Sequence, residues 1–408
     1  MRRGMLSDMF AGVAAKRLTL VETVTPKSNQ HEIQGSKPLR KLLGEDDRRG
    51  IPTRFIWVSD EQEPLTESGF MSWSNVRKGK PRAAEFHLYY SGNTVTELMQ
   101  SGDMIFIALQ RDGNILVIVT SSTTLQSQLL WLFALEKEPE FAFKIQEIDD
   151  SHNVELNFAA RYILDELGIE PEEPEVDRLD ALIEGFKLHF PKTRIFSQLA
   201  RDSLPEISAA DDPDHALLAW MDREEQLFRR LERRIVAERI SHGFTTDEGV
   251  DVDDFIAFSL SVHNRRKARA GQALENHLEA VFDAQKIRYV RGAETENRNK
   301  PDFLFPGKIE YDNPLFPAAK LTMLGAKSTL KDRWRQVLSE AVRIEEKHLL
   351  TLEPAISENQ TSEMQAKQLR LVVPRKLHET YRSGQQEWLM DVASFLKEVR
   401  ARQGVLLS

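Results

Sequence analysis

The chain has 408 residues, enough for two or three domains. It contains no cysteine, which excludes disulfides, zinc–thiolate sites and thiol catalysis and favours a reducing, cytoplasmic setting. Its formal net charge of −9 excludes a protein that coats nucleic acid by bulk charge, although acidic segments can conceal a local basic cleft.

The first residues are basic and mildly apolar. Asp8 and the pair Lys16 and Arg17 interrupt them, so they lack the long apolar core of a signal peptide. No stretch elsewhere has the length and hydrophobicity of a membrane span. The sequence therefore predicts a protein without a membrane partner.

Residues 51–120 carry the signals of short β-strands. Runs of β-branched and aromatic residues at 55–58, 85–90, 104–109 and 115–119 alternate with Gly, Asn and Asp. The last two runs predict a hairpin, and the spacing of all four favours a compact β-barrel or sandwich. The order of these elements is similar to the B3-like DNA-binding pseudobarrel that precedes some restriction nucleases.

A basic loop lies between two of these strands, close to a tryptophan. Cations in such a loop contact a phosphate backbone in many DNA-binding proteins, but a solvated surface loop has the same composition. The candidate DNA-binding residues here are Trp73, Arg77, Lys78, Lys80 and Arg82.

Helical periodicity replaces the strand pattern at 125–170, and an acidic stretch with two prolines follows at 170–177. Such a stretch cannot pack a core and is typical of a linker. We therefore predict an N-terminal DNA- or effector-binding domain at 1–175 and a second domain at 176–408.

Two helices are predicted at the start of the second domain. The amphipathic segment 222–240 is typical of a solvated scaffold or a dimer face, and acidic residues at 251–254 suit a helix N-terminus. A basic block follows at 261–279, whose cations either contact phosphates and guanine edges or are simply solvated. Its candidate DNA-binding residues are Arg265, Arg266, Lys267 and Arg269.

An acid, a lysine and a second acid are spaced through residues 300–340. Asp302 follows a proline at the head of one apolar run, and Lys327 closes a second run. Glu340 lies thirteen residues further on, in a segment predicted to be helical. These three groups can converge at one point, which is how nucleases hold a divalent metal beside a scissile phosphate.

Four blocks of the sequence together resemble the catalytic domain of EcoRII-type restriction endonucleases, from about residue 186 to 381. They are NRRKARAGQALENHLE, NKPDFLFP, AKSTLKDRWRQVLSEA and LRLVVPRKLHETY, in the same order. That family is a branch of the PD-(D/E)XK nucleases. The resemblance implies an α/β fold with a C-terminal restriction-endonuclease-like mixed sheet flanked by helices, preceded by a mainly β, barrel-like N-terminal domain.

The resemblance also implies catalytic roles for Asp302, Lys327 and Glu340. Gly325 stands where the usual E-x-K motif has an acid, so Glu340 supplies the missing carboxylate, and Glu275 matches an additional acid near the metal. Hard carboxylate oxygens from Asp302, Glu340 and Glu275 suit Mg²⁺ as the cofactor. No phosphate-binding loop of the ATP-dependent type is present, so no nucleotide cofactor is expected.

A second cluster close to Lys327 matches the block with which this family reads CC/GG edges in the major groove. Lys331 or Arg333 can donate to guanine, and Asp332 can accept from cytosine. Considered alone, these residues are more typical of a salt-bridged helix surface, and it is the surrounding match to the family that favours base reading.

The sequence thus predicts a Mg²⁺-dependent type II restriction endonuclease that cleaves double-stranded DNA as a homodimer. Its target is expected to be a short, near-palindromic site with CC/GG edges, CCNGG-like or CCGG-like. The N-terminal domain is expected to bind a second or a modified site and to regulate cleavage. The alternatives are a non-catalytic DNA-binding or regulatory protein with the same fold, and a structure-specific repair nuclease.

Overall fold

The computed structural model describes residues 5–23, 32–60, 64–135, 139–148, 157–169, 176–246, 249–330 and 333–404. The chain divides into two compact units. Unit 1 comprises Met1–Glu172 with Pro354–Ser357, and unit 2 comprises Glu173–Glu353 with Glu358–Ser408. This division falls in the acidic, proline-containing stretch at 170–177. The functions assigned to the two predicted domains stay predictions.

Unit 1 is built on one eight-stranded sheet in the order β2-β5-β4-β3-β7-β6-β1-β8. The only parallel pair among these described strands is β3 with β7. The strands are β1 (Phe10–Arg17), β2 (Glu32–Gln34), β3 (Arg48–Val58), β4 (Leu65–Asn75), β5 (Phe86–Tyr90), β6 (Met104–Gln110), β7 (Ile115–Thr120) and β8 (Lys144–Glu147). The helices are α1 (Leu6–Met9), α2 (Leu20–Thr23), α3 (Lys37–Leu43), α4 (Thr94–Glu97), α5 (Thr123–Leu132) and α6 (Phe158–Glu166).

Both faces of this sheet are covered. Successive residues of a strand point to opposite faces, and Ile105 and Phe106 accordingly belong to two different apolar clusters. Strands β6 and β7 form the predicted antiparallel hairpin, with Leu109 opposite Ile115. The prediction of a mainly β first half is confirmed.

Unit 2 contains a five-stranded mixed sheet in the order β11-β12-β13-β14-β15. Strands β11, β12 and β13 pair antiparallel, whereas β13, β14 and β15 pair parallel. The strands are β9 (Thr245–Thr246), β10 (Gly249–Val250), β11 (Val290–Arg291), β12 (Phe303–Phe305), β13 (Thr322–Lys327), β14 (Lys347–Thr351) and β15 (Leu369–Val372), of which β9 and β10 form a separate pair. The prediction of a C-terminal mixed sheet is confirmed.

Helices account for most of the remainder of unit 2. They are α7 (Val176–Ile183), α8 (Thr193–Asp202), α9 (Pro213–His242), α10 (Val252–Ala284), α11 (Lys308–Asp312), α12 (Trp334–Val337), α13 (Glu358–Ala366), α14 (Ser383–Gln386) and α15 (Val392–Gln403). Asp212 caps α9 by accepting from the backbone N–H of His215 (3.0 Å), and Asp251 caps α10 by accepting from that of Asp254 (2.9 Å). Among the helices described here, none combines the length and hydrophobicity needed to cross a bilayer.

The segment after Lys327 differs from the predicted helix. Among the described residues of this segment α12 is the only α-helix and has a single turn, and Glu340 lies in the turn that follows it. The backbone N–H of Glu340 bonds to the carbonyl of Val337 (3.2 Å), and Ala341 has a left-handed φ of 46° that ends the helical path. Trp334 and Val337 are fully buried. This single turn therefore packs against the sheet, where the sequence predicted a longer helix.

Candidate active site

Asp302 and Lys327 meet at one edge of the mixed sheet. Asp302 immediately precedes β12, and Lys327 ends the antiparallel neighbour β13. One carboxylate oxygen of Asp302, Oδ2, accepts from Lys327 Nζ (2.7 Å) and from the backbone N–H of Ala326 (2.7 Å). Both side chains remain partly exposed, at 16% for Asp302 and 20% for Lys327. An acid and a lysine are therefore held side by side at a solvent-accessible edge.

Glu340 supplies a second carboxylate close to this pair. Its Oε2 atom is buried and has no hydrogen-bond partner among the residues that the structure describes. Burial, followed by the charge of Asp302, raises the pKa of Glu340 to about 7, although the charges of Lys327 and Lys347 oppose this shift. A buried carboxylate oxygen without a donor is costly, so this position favours a cation.

Gly325 explains why the second acid comes from the turn after α12. A Cβ atom at Gly325 would lie 2.9 Å from Val337 Cγ2 and 3.3 Å from Leu349 Cδ1. A larger side chain therefore cannot occupy this position while α12 packs as it does. The close approach of Val337 to β13 brings the chain towards the sheet three residues before Glu340.

Glu275 reaches the same site from α10. Burial raises its pKa, the charge of Asp302 raises it further, and Arg291 and Lys327 lower it. Arg291 on β11 donates to Glu275 Oε2 from Nε (2.8 Å) and Nη2 (2.7 Å), and its Nη1 lies 2.7 Å from Glu279 Oε2. The structure thus brings together the four predicted catalytic residues, although their roles stay predictions.

Two functional neighbours were missed by sequence reasoning. Arg291 precedes a glycine in an unremarkable run, and no local signal pairs it with Glu275. Lys347 is buried at the start of β14, donates to the carbonyl of Ile344 (2.7 Å), and has a pKa lowered by burial against the charges of Glu340 and Glu296. Lys347 stands at the head of an apolar run, and this is the one sequence signal that could have identified it.

The carboxylate oxygens of Asp302, Glu340 and Glu275 are the donors that a hard divalent cation prefers. Their ligand atoms do not all lie within 4.8 Å of one another, so the three groups would have to move to share one ion. Within the described residues, only Glu346, His348 and Glu398 place three ligand atoms within 4.8 Å of one another. At that second cluster the guanidinium of Arg402 lies 2.5 Å from Glu398 and 3.5 Å from Glu346, so a cation is already present. At the candidate active site Lys327 pairs with Asp302 and Arg291 pairs with Glu275 in a comparable way. We therefore expect metal binding to compete with these ion pairs.

The basic block of α10 was predicted to supply cations that contact DNA, but two of these cations pair with acids inside the protein. Arg269 is buried, lies 3.3 Å from Glu224, pairs with Glu225 and stacks 4.2 Å from the Phe228 ring.

Arg266 of the same block donates from Nε to Glu232 (2.6 Å), and Arg265 lies 4.4 Å over the ring of Phe190. These contacts join α10 to α9 and to the segment before α8, so Arg266 and Arg269 act structurally here. The side chain of Lys267 lies outside the described residues.

The predicted base-reading cluster is only partly described. Lys331 and Asp332 lie outside the described residues. Arg333 is exposed, and its Nη2 donates to the carbonyl (2.6 Å) and the Oγ1 (2.5 Å) of Thr329. Arg333 therefore stands at the surface just beyond Lys327, and its role in base readout stays a prediction.

The predicted N-terminal basic loop requires one correction. Trp73 is fully buried, stacks on Phe86 with ring centroids 5.0 Å apart, and donates from Nε1 to the carbonyl of Gly44 (2.9 Å). It is a core residue and cannot stack on a base, because the alternation along β4 turns it inwards.

The cations of this loop are exposed or partly exposed. Lys80 and Arg82 are exposed, Arg77 pairs with Glu85, and Lys78 lies 2.7 Å from Asp47. DNA binding by this loop stays a prediction.

Comparisons with known proteins agree with the sequence blocks. A family model described as EcoRII C terminal matches residues 228–396. The type II restriction enzyme EcoRII of Escherichia coli is 39% identical over 233 residues, which cover 57% of this chain and 56% of that enzyme. The match therefore spans little more than half of either protein.

Two solved structures are similar to part of the chain. Metal-depleted Ecl18kI in complex with uncleaved, modified DNA is 19% identical over 58% of this chain and 88% of that one, with a TM-score of 0.45. The restriction endonuclease PspGI–substrate DNA complex is 13% identical over 55% of this chain and 95% of that one, with a TM-score of 0.43. The family model and the identity to EcoRII together confirm the resemblance: residues 228–396 match the EcoRII C-terminal family model.

Proposed function

We propose that this protein is a Mg²⁺-dependent type II restriction endonuclease that hydrolyses phosphodiester bonds in double-stranded DNA. The observation that carries the proposal is the pairing of Asp302 with Lys327 beside the unpartnered Oε2 of Glu340, inside the region that matches the EcoRII C-terminal family model. A nuclease needs acids to hold a cation and a lysine to reach the attacking water or the phosphate, and this edge of the sheet supplies both.

Asp302, Glu340 and Glu275 would hold the metal, which when bound supplies Lewis acidity towards the scissile phosphate. The chain's own groups do the rest. Lys327, once released from Asp302, donates to a phosphate oxygen or orients the attacking water. Arg291 holds the carboxylate of Glu275 by hydrogen bonds and lowers its pKa against the larger effect of burial. The backbone N–H of Ala326 fixes Asp302 Oδ2.

Sequence specificity belongs to the same proposal. Residues 331–333 directly follow the loop after β13, where a basic side chain such as Arg333 can donate to guanine O6 and N7 at a CC/GG edge. EcoRII-like C-terminal sequence and the DNA complexes of Ecl18kI and PspGI support double-stranded DNA as the partner. We further propose a homodimer, a cytoplasmic setting, and an N-terminal domain that binds a second or modified site.

Cleavage of a plasmid in the presence of Mg²⁺ tests the proposal. The parent is expected to cut, and Asp302→Ala and Lys327→Ala are each expected to lose at least about a thousandfold in rate, the scale of removing a group that acts in the transition state. Lys367→Ala, which changes an exposed lysine of the same unit, is the matched control and should cut like the parent.

Two results would overturn the proposal. One is a parent that cuts no DNA of any methylation state while it remains folded. The other is a Lys327→Ala variant that cuts as fast as the Lys367→Ala control.

A further inference from the structure

A tight loop lies just before β12. Its residues Asn297 and Arg298 have left-handed φ angles of 59° and 60°. The backbone N–H of Thr295 closes the loop by bonding to the carbonyl of Asn299 (2.8 Å). A left-handed conformation is unfavourable for arginine, and such strain persists where the surrounding structure holds it, most often at functional sites. The strained backbone of residues 295–299, here called the tight loop, therefore points to a functional role.

Asn299 joins the tight loop to the turn that carries Glu340. Its side-chain Nδ2 donates to the backbone carbonyl of Ser339 (2.8 Å), the residue directly before Glu340. Asn299 also lies only three residues before Asp302 in the chain. One short segment therefore carries the first candidate metal ligand and holds the backbone of the second.

Glu296 contacts the same turn on the other side of Glu340. Its Oε2 lies 3.4 Å from the backbone nitrogen of Val342 and accepts from the hydroxyl of the buried Tyr311 (2.5 Å). The contact with Val342 is long, so it is the weaker of these two links between the tight loop and the turn. The tight loop thus contacts the turn both before and after Glu340.

Arg343 fastens the end of this turn to the segment that follows β12. Its guanidinium donates to the backbone carbonyls of Tyr311, Asn313 (3.1 Å) and Phe316 (2.9 Å). The tight loop precedes β12, and these three carbonyls follow it. The turn after α12 is therefore held by the segments on both sides of the strand that Asp302 precedes.

We propose that Asn299 is a positioning residue of the candidate metal site. By holding the carbonyl of Ser339, it fixes the distance between the carboxylates of Asp302 and Glu340, and thereby the affinity of the site for a divalent cation. The inference rests on the proposed function for the role of these two acids as metal ligands. The bonds described for Asn299 include neither carboxylate, so it acts through the backbone of the turn.

Binding of Mn²⁺ to the full chain, without DNA, tests the inference. Mn²⁺ takes the same hard oxygen ligands as Mg²⁺, and its electron paramagnetic resonance signal reports the free ion. The parent should bind, and Glu340→Gln should bind at least about tenfold more weakly, because it loses a ligand.

Asn299→Ala should likewise raise the dissociation constant for Mn²⁺ about tenfold or more, the scale seen when a group that orients a metal ligand is removed. Asn359→Ala, at an exposed asparagine of α13, is the matched control and should bind like the parent.

The double variant separates positioning from a general loss of structure. Because Asn299 acts through Glu340, Asn299→Ala should cause no further loss of Mn²⁺ affinity once Glu340→Gln is present. A merely structural role would weaken binding by the same factor in both backgrounds. Thermal unfolding without metal shows whether each variant is folded, and Asn299→Ser, which also removes the amide donor, replaces an Asn299→Ala variant that does not fold.

The outcomes distinguish this inference from the proposed function. Mn²⁺ binding that depends on Glu340 but is equal in Asn299→Ala and Asn359→Ala would overturn the inference alone, as would equal losses from Asn299→Ala with and without Glu340→Gln. Mn²⁺ binding that is absent, or indifferent to Glu340→Gln, would overturn both the inference and the proposed ligand role of Glu340. A parent that binds Mn²⁺ through Glu340 and Asn299 but cuts no DNA would support the inference and contradict the proposed nuclease.

Discussion

At the scale of single residues, the balance of charge around Glu340 dominates the candidate site. Among the described residues its buried Oε2 has no hydrogen-bond donor, and the two lysines whose charges lower its pKa bond elsewhere, Lys327 to Asp302 and Lys347 to the carbonyl of Ile344. The carboxylate is therefore destabilised in its charged form until a further cation arrives. If Glu340 binds the proposed metal, this residue links metal binding directly to folding stability.

Glu340→Gln should stabilise the metal-free protein at alkaline pH. The pKa of Glu340 is raised from 4.5 to about 7 in the folded state, so the folded state binds the extra proton, and its stability falls as pH rises through that window. The full shift corresponds to about 3 kcal/mol, which partial exposure reduces to about 1–2 kcal/mol at pH 8. Urea unfolding at pH 8 and at pH 4.5 measures the difference, which should vanish at the lower pH.

Magnesium should reverse this effect. Bound cation makes the charged form of Glu340 favourable, so Mg²⁺ should raise the Tm of the parent more than that of Glu340→Gln. Glu345→Gln, at an exposed acid nearby in sequence, should behave like the parent in both conditions. Equal Mg²⁺ shifts in parent and Glu340→Gln would show that Glu340 is not a ligand.

Arg291→Gln should destabilise unit 2 by about 1–3 kcal/mol, because it leaves Glu275 and Glu279 without their shared cation. Arg288→Gln is the matched control, since Arg288 is 63% exposed and contacts only the partly exposed Glu310 among the ion pairs described for it. That control should change the free energy of unfolding by less than about 0.5 kcal/mol. Chemical denaturation of the parent, Arg291→Gln and Arg288→Gln measures these differences in the free energy of unfolding. Equal losses in both variants would contradict the assigned role of Arg291.

At the scale of elements, the passage from β13 through α12 determines the geometry of the site. Asp302 and Lys327 could be predicted from sequence, because each lies at the end of an apolar run and neighbouring strand ends meet at one edge. The path to Glu340 could not, because it depends on burial of Trp334 and Val337 against strands distant in sequence. The inward orientation of Trp73 and the pairing of Arg269 with Glu224 are likewise set by tertiary packing, which a basic or aromatic run does not encode.

Gly325→Ala should destabilise the protein by about 1–3 kcal/mol and reduce cleavage, because the new methyl group displaces Val337 and the turn that carries Glu340. Combining it with Val337→Ala should recover part of the loss relative to the sum of the two single changes.

Gly271→Ala is the opposite control. Gly271 lies inside α10 with no heavy atom within 4 Å of the added methyl group, so this change should stabilise the helix by about 0.5–1 kcal/mol. Thermal or urea unfolding measures the expected gain in stability for Gly271→Ala and the expected loss for Gly325→Ala. If the effects of Gly325→Ala and Val337→Ala simply add in the double mutant, the proposed contact between Gly325 and Val337 is contradicted.

At the scale of the whole molecule, two units share one chain whose formal net charge is −9. DNA binding must therefore be local, and the exposed candidates for it are Arg333 in unit 2 and Lys78, Lys80 and Arg82 in unit 1. The strand-rich first unit was predictable from apolar runs and turn residues, whereas the mixed sheet of the second was implied by the family resemblance. The ion pairs of Arg291 with Glu275 and Glu279 became visible only once the elements were placed in three dimensions.

Sequencing the ends produced from one phage genome of known sequence, with Mg²⁺, tests the central claim most directly. The account predicts discrete, repeated ends that share a short, near-palindromic motif with CC/GG edges, and none from Lys327→Ala. Ends scattered without a common motif would contradict sequence-specific cleavage, and the same ends from Lys327→Ala would contradict the active site assigned here.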